Sequence, residues 1–105
     1  MSITRQDDAR PKFELGRIFA TPSAVEALER ARVTPEALLA RHAAGDWGIV
    51  NREDAAANEL ALTRSLRLVS SYVVSAAGAQ NGGDVIWIVT EADRSATTLL
   101  LPGEY

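Results

Sequence analysis

The feature that most constrains this chain is a change of hydrophobic period near residue 65. Before it, apolar residues recur at helical spacing. After it, they fall on every second position, the period of a strand with two distinct faces. Helices followed by strands, rather than alternating with them, predict an α+β domain.

Helix signals punctuate the first part. Thr21-Pro22 and Thr34-Pro35 are two starts of the same kind. In each, the threonine hydroxyl can accept a bond from an orphan amide, and proline loses nothing at the first helical position. Val25, Leu28 and Ala31 form the stripe of the first helix, and Leu38, Leu39 and His42 that of the second, which Gly45 ends. The two form an αα-hairpin. Asp46-Trp47-Gly48 is a turn, and Asn51 opens a third helix with Asp54 as its capping partner. Ala55 to Ala57 favour that helix, Leu60 and Leu62 supply its stripe, and it runs to about Arg64.

A first strand is expected earlier, at about Leu15 to Ala20, with Gly16 marking a bulge or a close backbone approach. Later, Leu66, Leu68, Ser70, Tyr72 and Val74 share one face of a strand whose other face carries Val69 and Val73. With apolar residues on both faces, this strand reads as central. Residues 76–83 contain Asn81-Gly82-Gly83, a turn signal. Val85 to Glu91 is the most strand-like run, Glu91 to Ser95 a polar hairpin turn, and Ala96 to Leu101 a final strand stopped by Pro102-Gly103. The expected order is β-α-α-α-β-β-β, an antiparallel sheet with helices packed on one face and the first strand joining through a crossover. Leu99-Leu100-Leu101 reads as an edge able to pair with a second chain, so a homodimer is one expectation. Residues 1–12 read as a flexible polar tail and 13–105 as one domain; 105 residues leave no room for two.

Composition excludes several classes. There is no cysteine, which removes disulfides, zinc-thiolate sites and cysteine nucleophiles. No apolar run approaches the length of a membrane span, and Met1 to Pro11 does not resemble a signal peptide, so a cytoplasmic setting without membrane partners is expected. The formal charge of -3, from 11 cations against 14 carboxylates, argues against nucleic acid as a partner. No phosphate-cradling loop, nucleophile elbow or metal-spaced carboxylate set is present, so neither a cofactor nor a metal is expected.

Several residues are candidates for chemistry. His42 is the lone histidine, able to act as a base or simply to pack beside the helix hairpin. Asp46 and Trp47 form either a recognition loop or a core plug. Asn58 and Glu59 are a polar pair on a helix, with Arg52 and Arg64 within reach of Glu59. Trp87, Glu91, Asp93, Arg94 and Thr97 cluster around one hairpin, where carboxylates suit acid–base work and an arginine can hold a phosphate. The plainer reading makes Asp93 and Ser95 turn residues and Arg94 solvated.

A longer pattern adds to this. Ala20-Thr21-Pro22, Arg41-His42, Gly45-Asp46-Trp47-Gly48, Asn58-Glu59, Ser71-Tyr72, Ile86 through Ser95, Thr97-Thr98 and Leu101 through Tyr105 resemble a family of small uncharacterised bacterial proteins. That family is associated with plasmids, integrative elements and phages. The resemblance covers about nine tenths of the chain, from Phe13 onward. It implies an accessory protein of a mobile element. The reading that follows is a non-catalytic binding protein with a protein partner, of the kind that inhibits a host or rival system. Its binding candidates are Asp46, Trp47, Asn58, Glu59, Trp87, Asp93, Arg94 and Thr97. The alternative is a small ribonuclease or toxin, since the element order is similar to RelE-like and barnase-like domains. His42, Tyr72, Glu91 and Arg94 are then the catalytic candidates. DNA binding through the helix hairpin is weaker, because its second helix offers a groove only Arg41 and His42 against Glu36.

Overall fold

Proline and threonine set the helix boundaries as their chemistry requires. The computed structural model describes residues 10–75 and 83–105. Helix α1 spans Pro22–Ala31, and the Thr21 hydroxyl accepts from the Ala24 amide at 3.1 Å. Helix α2 spans Pro35–Ala43, and Thr34 caps it through the Ala37 amide. Helix α3 spans Arg52–Arg64, with the Asn51 carboxamide accepting from the Asp54 amide at 2.7 Å. These bonds satisfy amide donors that a helix start leaves without partners.

The strands are β1 (Arg17–Ala20), β2 (Leu68–Val74), β3 (Asp84–Thr90) and β4 (Ala96–Leu100), and Pro102–Glu104 forms a closing 3-10 turn. The order β-α-α-α-β-β-β and the α+β class are as expected. The sheet order is β1-β4-β3-β2. The last three strands form an antiparallel meander, and β1 pairs with β4 in parallel, making the sheet mixed.

This order corrects two expectations. Strand β2 is an edge, not a central strand, and β4 is interior, not an edge. The crossover explains both. Helices α1 and α2 return the chain over one sheet face, β1 lies outside β4, and among the described residues nothing pairs beyond β2 as a full strand.

One sheet face carries the main core. Ala24, Ala27 and Leu28 of α1 and Leu38 and Leu39 of α2 pack on Tyr72, Val74, Ile86, Ile88 and Leu99. Burial of these side chains supplies the main drive to fold. A second cluster holds Trp47, Ala61 and Leu68, with Phe13, Val50, Ala55 and Leu62 against it. Helix α3 turns Asn58 and Ala61 inward; Leu60, expected in its stripe, is exposed.

Gly16 precedes β1 rather than lying within it. It has φ +67°, and a Cβ there would meet the Ser95 carbonyl at 2.4 Å, so the expected close approach is real. The Lys12 amide donates to the Ala43 carbonyl, tying the chain to the end of α2. The tail expected at 1–12 falls largely on residues 1–9, outside the described residues, as do residues 76–82 of the expected long loop. Among the described residues no helix is long and apolar enough to cross a membrane.

Candidate functional site

The four catalytic candidates do not share an open cleft. His42 is fully buried between α2 and the sheet. Its Nδ1 lies 2.5 Å from Ser70 Oγ and its Nε2 2.8 Å from Thr90 Oγ1. Thr90 Oγ1 is 2.7 Å from Thr97 Oγ1, and Thr97 donates to the Leu15 carbonyl. Counting protons along this chain leaves one solution for a neutral ring. Thr97 spends its hydrogen on Leu15, so Thr90 must donate to Thr97, and Nε2–H must donate to Thr90. Ser70 then donates to Nδ1. Burial, aided by the positive charge of Arg94, pushes the imidazole down to about 4, which keeps it neutral. Phe13 and Trp47 meet the ring edge-on at 5.1 and 5.9 Å. His42 is a satisfied core residue, and it has no face to offer DNA.

Tyr72 is equally enclosed. Its hydroxyl donates to the Asp46 carbonyl, and burial pushes it up to about 12. The Arg41 guanidinium sits 4.5 Å from the center of its ring and bonds Asp46 at 2.7 Å, holding that carboxyl below its usual range.

Arg94 occupies a left-handed backbone position in the β3–β4 turn, φ 62°. Its guanidinium is not solvated as the plain reading had it. It donates to the carbonyls of Leu66, Ala61, Glu91 and Ala92 at 2.7 to 3.1 Å. Ala61 and Leu66 flank the end of α3, so this arginine caps that helix and complements its dipole. Glu91 pairs with Arg67 at 3.2 Å on the surface. Asp93 accepts from the Ser95 amide, as a turn residue should.

Three binding candidates are also internal. Trp47 is buried and donates to Glu59 at 2.9 Å, so Glu59 takes an indole rather than Arg52 or Arg64. Asn58 is buried against β2, and Thr97 belongs to the His42 chain.

Trp87 differs. It lies half-buried on the sheet face opposite α1 and α2. Its β2 neighbour Ser71 stands directly across from it. The segment 49–51 and the first turns of α3 rise beside this face. Together they enclose an open hollow of about 340 Å³ lined by Ile49, Val50, Asp54, Val69, Ser71 and Trp87. A second hollow of about 290 Å³ continues past Trp87 to Arg67 and Tyr105. Tyr105 packs edge-on against Trp87 at 5.7 Å and is 59% exposed. Charge is unequal along this groove. Arg67 is already bonded to Glu91 and to the Tyr105 hydroxyl. Asp54 lines both hollows, and none of the ion pairs among the described residues includes it.

Sequence reasoning singled out Trp87 but missed Asp54, Val50, Arg67 and Tyr105 as its neighbours. They come from three separate stretches of chain, 50–54, 67 and 105, and no spacing in the sequence links those stretches to Trp87. Among the described residues no cluster of acidic and histidine side chains has the makings of a metal site. No family model, curated protein or solved structure matches the chain.

Proposed function

We propose that this protein is a non-catalytic binding module that takes a basic side chain of a protein partner into the groove over Trp87. The observation that carries the reading is the pairing in one groove of an accessible indole with a carboxylate that has no ion-pair partner among the described residues. A guanidinium or ammonium is attracted to an aromatic face, and a nearby carboxylate adds charge complementarity. Ile49, Val50 and Tyr105 supply apolar contact around it. The net charge of -3 steers in the same direction. The enclosure of His42 and Tyr72 and the commitment of Arg94 to carbonyls support binding over ribonuclease chemistry. A role as an accessory or inhibitory protein of a mobile element is the form of binding that the sequence resemblance suggests.

The test is a peptide panel read by isothermal titration. Peptides with one arginine or lysine among apolar residues should bind, and replacing that residue by glutamate should abolish binding. Asp54→Asn and Trp87→Ala should each weaken binding at least tenfold. A panel with no preference for basic residues, or affinity unchanged by both substitutions, would overturn the reading.

A further inference from the structure

We infer that β1 is the contact through which two copies of this chain join their sheets. The two edges of the sheet are treated differently. At β2 the outward backbone groups of Val69 and Ser71 are taken up by Asn58 and by residues 47–49. At β1 no described residue does this. The amides of Arg17 and Thr21 donate to the carbonyls of Ser95, just before β4, and Leu99 within it, so the alternate residues Ile18 and Ala20 aim their N–H and C=O groups away from the sheet. Ile18 and Phe19 are about half exposed, at 46% and 49%. An open, apolar edge is a template for another strand.

Register selects a second copy as the occupant. An antiparallel β1–β1 pair with its two-fold axis at Phe19 sets Ile18 opposite Ala20 of the other copy, and the reverse. All four outward residues then exchange bonds. Moving the axis to Ile18 brings Gly16 into the ladder, and Gly16 has a left-handed backbone. Moving it to Ala20 brings in Pro22, which has no N–H.

Charge agrees with this register. It sets Arg17 opposite Thr21 of the other copy, and the Thr21 hydroxyl donates to Glu104 at 2.7 Å. Arg17 is in no ion pair among the described residues, and its guanidinium lies 6.0 Å from the Phe19 ring center. Each Arg17 therefore meets the other copy's Glu104, twice by symmetry. The interface is small, which places it among weak, concentration-dependent associations.

Sedimentation equilibrium of the full chain tests the inference. The wild type should show a monomer–dimer equilibrium that weakens as salt is raised. Ile18→Pro removes an N–H that β4 does not use. It should raise the dissociation constant at least tenfold while leaving the circular-dichroism melting curve in place. Arg17→Glu should weaken the dimer at low salt and reverse the trend, with association recovering as salt screens the repulsion from Glu104. A monomer at every concentration up to about 1 mM, or a dimer indifferent to both substitutions, would overturn it.

Discussion

The Asn58 carboxamide pairs with both backbone polar groups of Val69, donating to its carbonyl at 2.8 Å and accepting from its amide at 3.1 Å. A side chain on α3 thus performs the work of a neighbouring strand. Two residues further along, Ser71 donates to the Trp47 carbonyl and accepts from the Ile49 amide. Between them these contacts block much of an edge that would otherwise invite strand addition.

Asn58→Leu should therefore do two things. It leaves a buried N–H and C=O without partners, at a cost of about 2–4 kcal/mol by the usual penalty for such groups. It also opens the β2 edge, so aggregation on heating should rise. Asn58→Asp keeps the acceptor but sets a carboxylate against the Val69 carbonyl, and should destabilise as well. Urea titration and light scattering measure the two effects separately.

Gly48 allows the 47–49 segment to lie against β2. Its φ is +77°, and a Cβ would meet the Ser71 carbonyl oxygen at 1.9 Å. Gly48→Ala should push the segment off the sheet and cost about 2 kcal/mol or more through backbone strain and lost bonds. Amide exchange at Ser71 and Ile49 should accelerate well beyond the change in the rest of β2.

The buried imidazole predicts a pH dependence. His42 stays neutral in the folded protein down to about pH 4, whereas in the unfolded chain it protonates near 6.5. Between these values the unfolded state holds a proton that the native state lacks. Its contribution is thus fully present above pH 6.5 and is lost as pH falls toward 4. The loss amounts to about 3 kcal/mol. His42→Phe should be less stable at pH 7, since Ser70 and Thr90 lose their partner, but its stability should fall less steeply between pH 6.5 and 4. Urea titrations across that range compare the slopes.

Arg94 offers a direct comparison of structural and catalytic roles. Lysine cannot reproduce a planar fork serving four carbonyls. Arg94→Lys should cost about 1–3 kcal/mol in stability, read by thermal melting. Purified wild-type protein should leave RNA intact in a gel assay, as should the variant. Cleavage by the wild type that the substitution removes would restore the ribonuclease alternative.

Much of this architecture was legible in residue order alone. Thr21-Pro22, Thr34-Pro35 and Asn51 announce helices because their side chains act on amides within a turn of them. The alternation of residues 68–74 and the run 84–90 declare strands because pleating separates neighbouring side chains. The β3–β4 turn, with Asp93 bonding Ser95, was also readable, since those bonds are local. The place of His42 four residues after Leu38 indicates packing at the edge of the helix hairpin, but not its full enclosure against Ser70 and Thr90 of the sheet.

Strand order was not legible in that way. Strand β2 carries apolar residues on both faces, and a pattern cannot tell whether its flank is sealed by another strand or by Asn58. Nor does it show that β1 returns to cover β4 and, among the described residues, leaves its own edge without a neighbouring strand. The groove over Trp87 has the same origin, because the 50–54 segment, Arg67 and Tyr105 meet around Trp87 only in the assembled fold. Local hydrogen bonds and periodicity determine which elements form. Which surfaces meet, and which remain available to a partner, is decided by long-range packing among residues that no sequence spacing connects.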